Sequence, residues 1–277
     1  MTNHNPHGGG FYLYVNLLSR RRQHKKHQWG LIVNKYELHL GDCLEVMKSI
    51  PAGSVDLILC DLPYGTTRNK WDSVIDLPSL WDEYKRISCG AIVLTAQTPF
   101  DKVLGSSNLC MLRYEWIWRK EAGTGFLNAK RSPLKDHENV LVFYDKPPTY
   151  NPQMREGFKP YKCKKGGETS NYNPSGIVTT VSGGERYPVT VLEFPRDRVK
   201  LHPTQKPVAL MEYLIKTYTN ECDLVLDNCM GSGTAGVACM NTGRRFIGIE
   251  LDAGYFQIAQ SRVMEAAAKT EQPATND

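Results

Sequence analysis

The eight cysteines, Cys43, Cys60, Cys89, Cys110, Cys163, Cys222, Cys229 and Cys239, include no Cys-x-x-Cys pair. That spacing argues against zinc and against a disulfide framework, and the reading is reduced core thiols, several of them in apolar runs. No apolar run approaches the ~20 residues a bilayer-spanning helix needs. The short apolar run from Phe11 to Leu18 is followed by Arg20-Arg21-Arg22, the reverse of a secretory signal. The expectation is a soluble, cytoplasmic chain with no membrane partner. His137-Glu138 has no second His at helical spacing, so a metalloprotease motif fails and no metal is expected. There is no internal repeat. The excess of positive charge is small, +5 with a pI near 8.7, and hints at a polyanionic partner without requiring one.

What is present over 277 residues is enough for one large domain, or one domain carrying an insertion. Val55 to Cys60 is a short aliphatic run bounded by Pro51-Ala52-Gly53-Ser54 and by Pro63 and Gly65, and reads as a buried strand. Tyr36–Leu40, Ala91–Thr95, Tyr114–Trp118, Asn139–Tyr144, Cys222–Leu226 and Arg244–Ile249 read as further strands. Helices are predicted over Cys43–Ile50, Leu77–Ile87 and Phe100–Leu104. Others follow from Pro207, as the first helical residue, through Tyr218, up to about Asn241, and over Ala253–Lys269 behind an Asp252 cap. Strands alternating with helices indicate a mostly parallel α/β sheet.

Two stretches carry chemistry. Asp61-Leu62-Pro63-Tyr64 falls where a strand ends, the place where open α/β sheets bind ligands. Asp61 and a backbone carbonyl near Leu62 or Pro63 could accept both hydrogens of an exocyclic amine, and Tyr64 could stack on the ring. The bland alternative is a capped strand-to-loop turn. The second stretch is Gly231-x-Gly233-x-x-Gly236 between strand and helix, with Glu250 19 residues beyond its first glycine. That is a dinucleotide-type fingerprint: backbone close to an anion, and a carboxylate for ribose hydroxyls. It suits NAD and S-adenosylmethionine alike. Only 27 residues follow Glu250, too few for a nicotinamide domain, so the rest of the sheet must come from earlier in the chain.

Asp61-Leu62-Pro63-Tyr64, a Lys-rich middle, His202-x-Thr204-x-Lys206-Pro207, Asp227-x-x-x-Gly231-Ser232-Gly233-Thr234 and Gly248-Ile249-Glu250, in this order, resemble the amino-methylating DNA methyltransferases of adenine N6 or cytosine N4 in their permuted beta arrangement. The resemblance covers roughly 36–145 and 200–265. Leu62 departs from the family's Asp-Pro-Pro-Tyr, and Cys229 stands where an aromatic is usual. The resemblance implies a Rossmann-like S-adenosylmethionine-dependent methyltransferase fold, α/β, with a mostly parallel sheet, helices on both faces and a basic recognition insertion. It implies Asp61, Leu62, Pro63 and Tyr64 at the target amine. It implies S-adenosylmethionine held by Asp42, Cys43, Asp61, Lys206, Pro207, Asp227, Asn228, Cys229, Gly231, Ser232, Gly233, Thr234, Glu250 and Leu251. The partner it implies is double-stranded DNA, in a bacterial or phage-encoded restriction–modification setting, with a homodimer left open. Asp in the first motif position leans to adenine N6.

The expected domain plan is a basic, disordered tail at 1–33, a methyltransferase domain over 34–145 and 200–269, a target-recognition insertion at 146–199, and a polar tail at 270–277. Residues 146–200 hold ten Lys and Arg against five Asp and Glu, interleaved with tyrosines and without sustained period. No core element is expected there; cations for phosphate and rings for stacking are. Lys159, Lys162, Lys164, Lys165, Arg196 and Arg198 are the candidate DNA contacts. The competing functions are an RNA or protein-amide methyltransferase, a nicotinamide oxidoreductase, and a DNA-binding module with a dead site, a reading that burial of Asp61 away from any pocket would support.

Overall fold

The structure is a computed structural model that describes residues 35–65, 73–169, 172–199 and 201–271. The basic stretch 1–33 and most of 270–277 lie outside the described residues. Within them the chain runs β1 (Tyr36–Leu40), α1 (Cys43–Met47), β2 (Val55–Asp61), α2 (Leu77–Ile87), β3 (Ser88–Ala96), α3 (Phe100–Ser107), β4 (Leu112–Thr124) and β5 (Lys135–Phe143). Then follow β6 (Tyr161–Thr169), β7 (Tyr172–Ser182), β8 (Val191–Glu193), α4 (Val208–Tyr218), β9 (Leu224–Asp227), α5 (Thr234–Thr242), β10 (Arg245–Glu250) and α6 (Ala253–Glu271).

Eight strands form one sheet in the order β1-β10-β9-β2-β3-β5-β4-β8. Pairing is parallel from β1 through β3 and between β4 and β8, and antiparallel where β5 meets β3 and β4. The central strands β2, β3, β9 and β10 and the second half of β5 are buried on both faces because successive side chains serve opposite cores. Leu57, Leu59, Val93, Val140 and Val225 pack under α4, α5 and α6. Ile58, Cys60, Ile92, Leu94 and Leu226 pack under α1, α2 and α3. Each fully buried aliphatic contributes about 1.5–3 kcal/mol. Strands from the first and last parts of the chain meet at β2 and β9, where Leu57 pairs with Val225. That junction sets the carboxyl ends of β2 and β9 side by side, and with them Asp61 and Asp227.

Several expectations are corrected in detail. Helix α1 stops at Met47, not Ile50. Strand β9 starts at Leu224 because Cys222 is left-handed (φ 65°) and Asn220 N–H donates to Asp223 Oδ2 at 2.7 Å, closing a turn. Pro207 is the N-cap of α4, one residue before the first helical position. The segment expected to lack core elements carries the antiparallel hairpin β6–β7 and a strand, β8, in the main sheet. Ile117 pairs with Val191, and Leu192 is buried. Three residues are too short to show a period, so β8 exists through its partner rather than its own pattern. Cys89, Cys110 and Cys222 are exposed rather than core thiols. Among the described residues no helix is long and apolar enough to cross a membrane.

Candidate active site

The chain leaves the sheet at Asp61, and Leu62 turns inward to 3% exposure, which anchors the corner. Asp61 Oδ1 accepts from the Tyr64 hydroxyl at 2.7 Å and from Thr95 Oγ1 on the adjacent strand β3. Its Oδ2 accepts from Lys206 Nζ at 2.6 Å. The Tyr64 ring lies against Phe100 (centroids 5.2 Å, 24°), so one of its faces is already used. Burial, reinforced by the negative charge of Asp61, pushes the Tyr64 phenol up, so its hydroxyl stays a donor.

Lys206 is 4% exposed and sits between two carboxylates, with Glu138 Oε2 at 3.1 Å on its other side. Burial alone would lower its pKa, but Asp61 and Glu138 outweigh it and raise it. Glu138 Oε1 is held by Lys120 Nζ at 2.6 Å. Burial works against the Glu138 charge, yet Lys206 and Lys120 bring its carboxyl below the usual range. Glu138 and Lys120 come from β5 and β4, whose register sets Glu138 opposite Trp118. Neither was a site candidate from the sequence, where Glu138 entered only in a failed metalloprotease motif, because the pairing that brings them to Asp61 is not local.

The second stretch forms the turn from β9 into α5. Gly233 takes φ +77°, and a Cβ there would lie 2.9 Å from Ala259 Cβ on α6, so only glycine lets this turn close against that helix. Glu250 ends β10 and ties the turn down: Oε2 accepts from Gly231 N–H and Oε1 from Asp252 N–H, both at 2.8 Å. Burial raises its pKa despite those bonds. Burial also raises the Asp227 carboxyl, to about 7, although its Oδ1 accepts from Cys229 N–H at 3.1 Å. Asn228 Oδ1 accepts from the Tyr84 hydroxyl at 2.6 Å. From below, Arg262 Nη1 on α6 donates to Ser232 O at 2.6 Å. Asp42 caps α1, its Oδ1 accepting from Leu44 and Glu45 N–H at 2.9 and 3.2 Å.

Both stretches open on one cavity of about 340 Å³. Asp42, Cys43, Asp61, Leu62, Pro63, Tyr64, Lys206, Asp227, Asn228, Cys229, Gly231, Ser232, Thr234, Glu250 and Leu251 line it. Pro207 and Gly233 are not on its wall. His202 and Tyr255 are, with rings edge-to-face at 4.3 Å; burial lowers the His202 pKa. Burial of Asp61 away from any pocket would support the dead-module alternative; Asp61 lines the cavity instead. Of the six basic candidates, Lys159, Lys162, Lys164 and Arg198 are exposed, with Lys162 and Lys164 on β6. Lys165 pairs through its backbone with Val178. Arg196 is committed to Glu121 at 2.8 Å, a contact that lowers the Glu121 carboxyl to about 2. Among the described residues no cluster of three or more His, Cys, Asp or Glu could hold a metal ion.

Residues 96–261 match the family model described as DNA methylase, of the N6/N4 type. The chain is 29% identical over 242 residues to the DNA adenine methyltransferase YhdJ of Escherichia coli (strain K12), covering 80% of this chain and 81% of that one. The crystal structure of the M1.HpyAVI–SAM complex superposes with a TM-score of 0.56 at 26% identity, over 82% of this chain and 99% of that one. The PvuII DNA methyltransferase (cytosine-N4-specific) shares the fold at 16% identity and TM-score 0.58, over 88% of this chain and 89% of that one.

Proposed function

The chain belongs to the N6/N4 DNA methylases and uses S-adenosylmethionine, and on that premise we propose that it methylates the exocyclic N6 amine of adenine in double-stranded DNA. One observation carries the reading: the Asp61 corner and the Gly231–Glu250 cradle share a single cavity. Support for adenine comes from Asp61 in the first motif position and from the adenine specificity named for YhdJ.

The residues present fit the cofactor. Glu250, buried at the end of β10, is spatially fixed by two backbone donors while its carboxylate still faces the cavity, where it would take a ribose diol. Gly231, Ser232 and Thr234 would line its amino-acid end, and Asp42 and Leu251 would flank its adenine. S-adenosylmethionine supplies an electrophilic methyl on a sulfonium whose leaving group is neutral.

The protein's task is to make a poor nucleophile usable. The target amine is conjugated with its ring and lies inside a duplex, so the base must be flipped into the cleft. Tyr64 offers the ring a wall. Asp61, aimed by Tyr64 and Thr95, accepts one amine hydrogen, and a backbone carbonyl at Leu62 or Pro63 accepts the other. That draws the nitrogen lone pair out of conjugation. Orientation of this kind is worth roughly 7–11 kcal/mol. As positive charge grows on the nitrogen, the Asp61 carboxylate stabilises it. Exposed Lys162 and Lys164 on the β6–β7 hairpin would meet phosphates.

Replacing Asp61 with Ala should abolish transfer of a tritiated methyl group to DNA while cofactor binding persists; near-normal turnover would remove Asp61 from its role. Sequencing modified bases in DNA from cells expressing the protein should reveal N6-methyladenine, and N4-methylcytosine instead would overturn the choice of base.

A further inference from the structure

We propose that Lys206 is a mobile counter-ion that occupies Asp61 until the target amine arrives and then passes to Glu138. The proposal rests on the methyl-transfer reading and deepens it.

In the structure both Asp61 oxygens are engaged. Oδ1 has the Tyr64 and Thr95 hydroxyls, and Oδ2 has Lys206 Nζ at 2.6 Å. Oδ1 already takes two hydroxyl donors, so an amine hydrogen must use the remaining lone pair of Oδ2, directly beside the ammonium. The same ammonium offsets the carboxylate field that should stabilise positive charge on the attacked nitrogen. A fixed Lys206 would therefore crowd the amine and weaken the field that assists its attack.

An exit is already built. Glu138 Oε2 is buried and makes no hydrogen bond, although Lys206 Nζ lies 3.1 Å away, at ion-pair distance but off a hydrogen-bonding angle. A buried acceptor without a hydrogen bond is costly. Rotation about the terminal bonds of Lys206 would satisfy that oxygen and release Asp61 Oδ2 in one movement. Lys120 keeps Glu138 in place from the far side, its Nζ 2.6 Å from Oε1 and 5.3 Å from the centre of the Trp118 ring. The four charges of Asp61, Lys206, Glu138 and Lys120 sum to zero, so the transfer shifts charge within a neutral cluster. A purely structural role explains the cluster less well, because buried ion pairs rarely repay their desolvation. Glu138 touches no substrate in this scheme; it is a positioning residue acting through Lys206.

The test is Glu138→Gln in the full chain, which keeps the shape and removes the charge. It is assayed by single-turnover transfer of a tritiated methyl group to duplex DNA carrying the unmethylated target site, as identified by the modified-base sequencing above. The transfer step should slow roughly 10- to 100-fold, about 1.4–2.7 kcal/mol of transition-state stabilisation. Binding of S-adenosylhomocysteine should stay within about twofold. Glu138→Asp should recover part of the loss. Unchanged transfer would overturn the proposal, as would a loss that cofactor affinity or melting temperature follows in parallel. Should the Gln variant not fold, the parent protein decides. In its crystal structure with target DNA and S-adenosylhomocysteine, Lys206 should bond Glu138 and leave Asp61 Oδ2 to the amine. Lys206 still on Oδ2 with the amine bound would refute it. If Asp61→Ala abolishes transfer while Glu138→Gln does nothing, the shuttle alone fails; if Asp61→Ala stays active, the reading of the site fails.

Discussion

Asp227 ends β9 at 6% exposure, and burial raises its carboxyl from 3.8 to about 7. The folded chain therefore keeps a proton that the unfolded chain surrenders above pH 3.8. Where the unfolded state binds fewer protons, stability falls as pH rises. The loss begins near pH 4 and is complete just above pH 7. At about 1.4 kcal/mol for each pH unit, the interval comes to about 4 kcal/mol. Asn at this position has no proton to lose and keeps an Oδ1 to accept from Cys229 N–H. Asp227→Asn should thus be more stable than the parent, and by an amount that grows with pH. Between pH 5 and pH 8 the gap should widen by about 3 kcal/mol, or about 6 °C in melting temperature for a chain of this size. The assay is thermal melting of both proteins without cofactor across that range. Parallel curves, with a pH-independent gap, would refute the assignment of a neutral buried carboxyl. The destabilised acid stands on the cleft wall, where proteins commonly trade stability for function.

Two further outcomes follow from the cradle. Glu250→Ala strands the N–H groups of Gly231 and Asp252 and removes the diol acceptor. Cofactor affinity should fall by roughly tenfold to hundredfold in equilibrium binding, as losing charge-assisted bonds implies, and unchanged affinity would free Glu250 of that role. Gly236→Ala puts a Cβ 2.6 Å from Val263 Cγ2 and 2.7 Å from the Phe246 ring. Overpacking there should cost about 1–3 kcal/mol in denaturant unfolding, and a neutral result would mean that α5 and α6 part easily.

The sequence showed most of the scaffold because its signals are local. Leu77, Leu80, Trp81, Tyr84 and Ile87 mark one helical face, and α2 runs over the span they predict, Leu77–Ile87. The aliphatic runs of β2, β3 and β5 are equally readable. The glycine turn and Glu250 were legible as one unit because spacing fixes the turn, and Glu250 Oε2 accepts from Gly231 N–H. What escaped is what only pairing creates. Strand β8 depends on β4, and Glu138 looks like any polar residue near a strand end until the register of β4 and β5 brings it beside Lys206. Lys206 itself was read as a cofactor contact; nothing in His202 to Pro207 announces that its ammonium reaches back to Asp61.

The meeting of β2 with β9 bears on how the molecule is made. While the ribosome is still producing the middle of the chain, β1 has no partner at all, and one edge of β2 is bare, since their neighbours β10 and β9 have yet to be synthesised. Such open edges invite pairing with other nascent polypeptides. A stop codon before Leu224 would leave β1 alone and five paired strands with the edge of β2 bare.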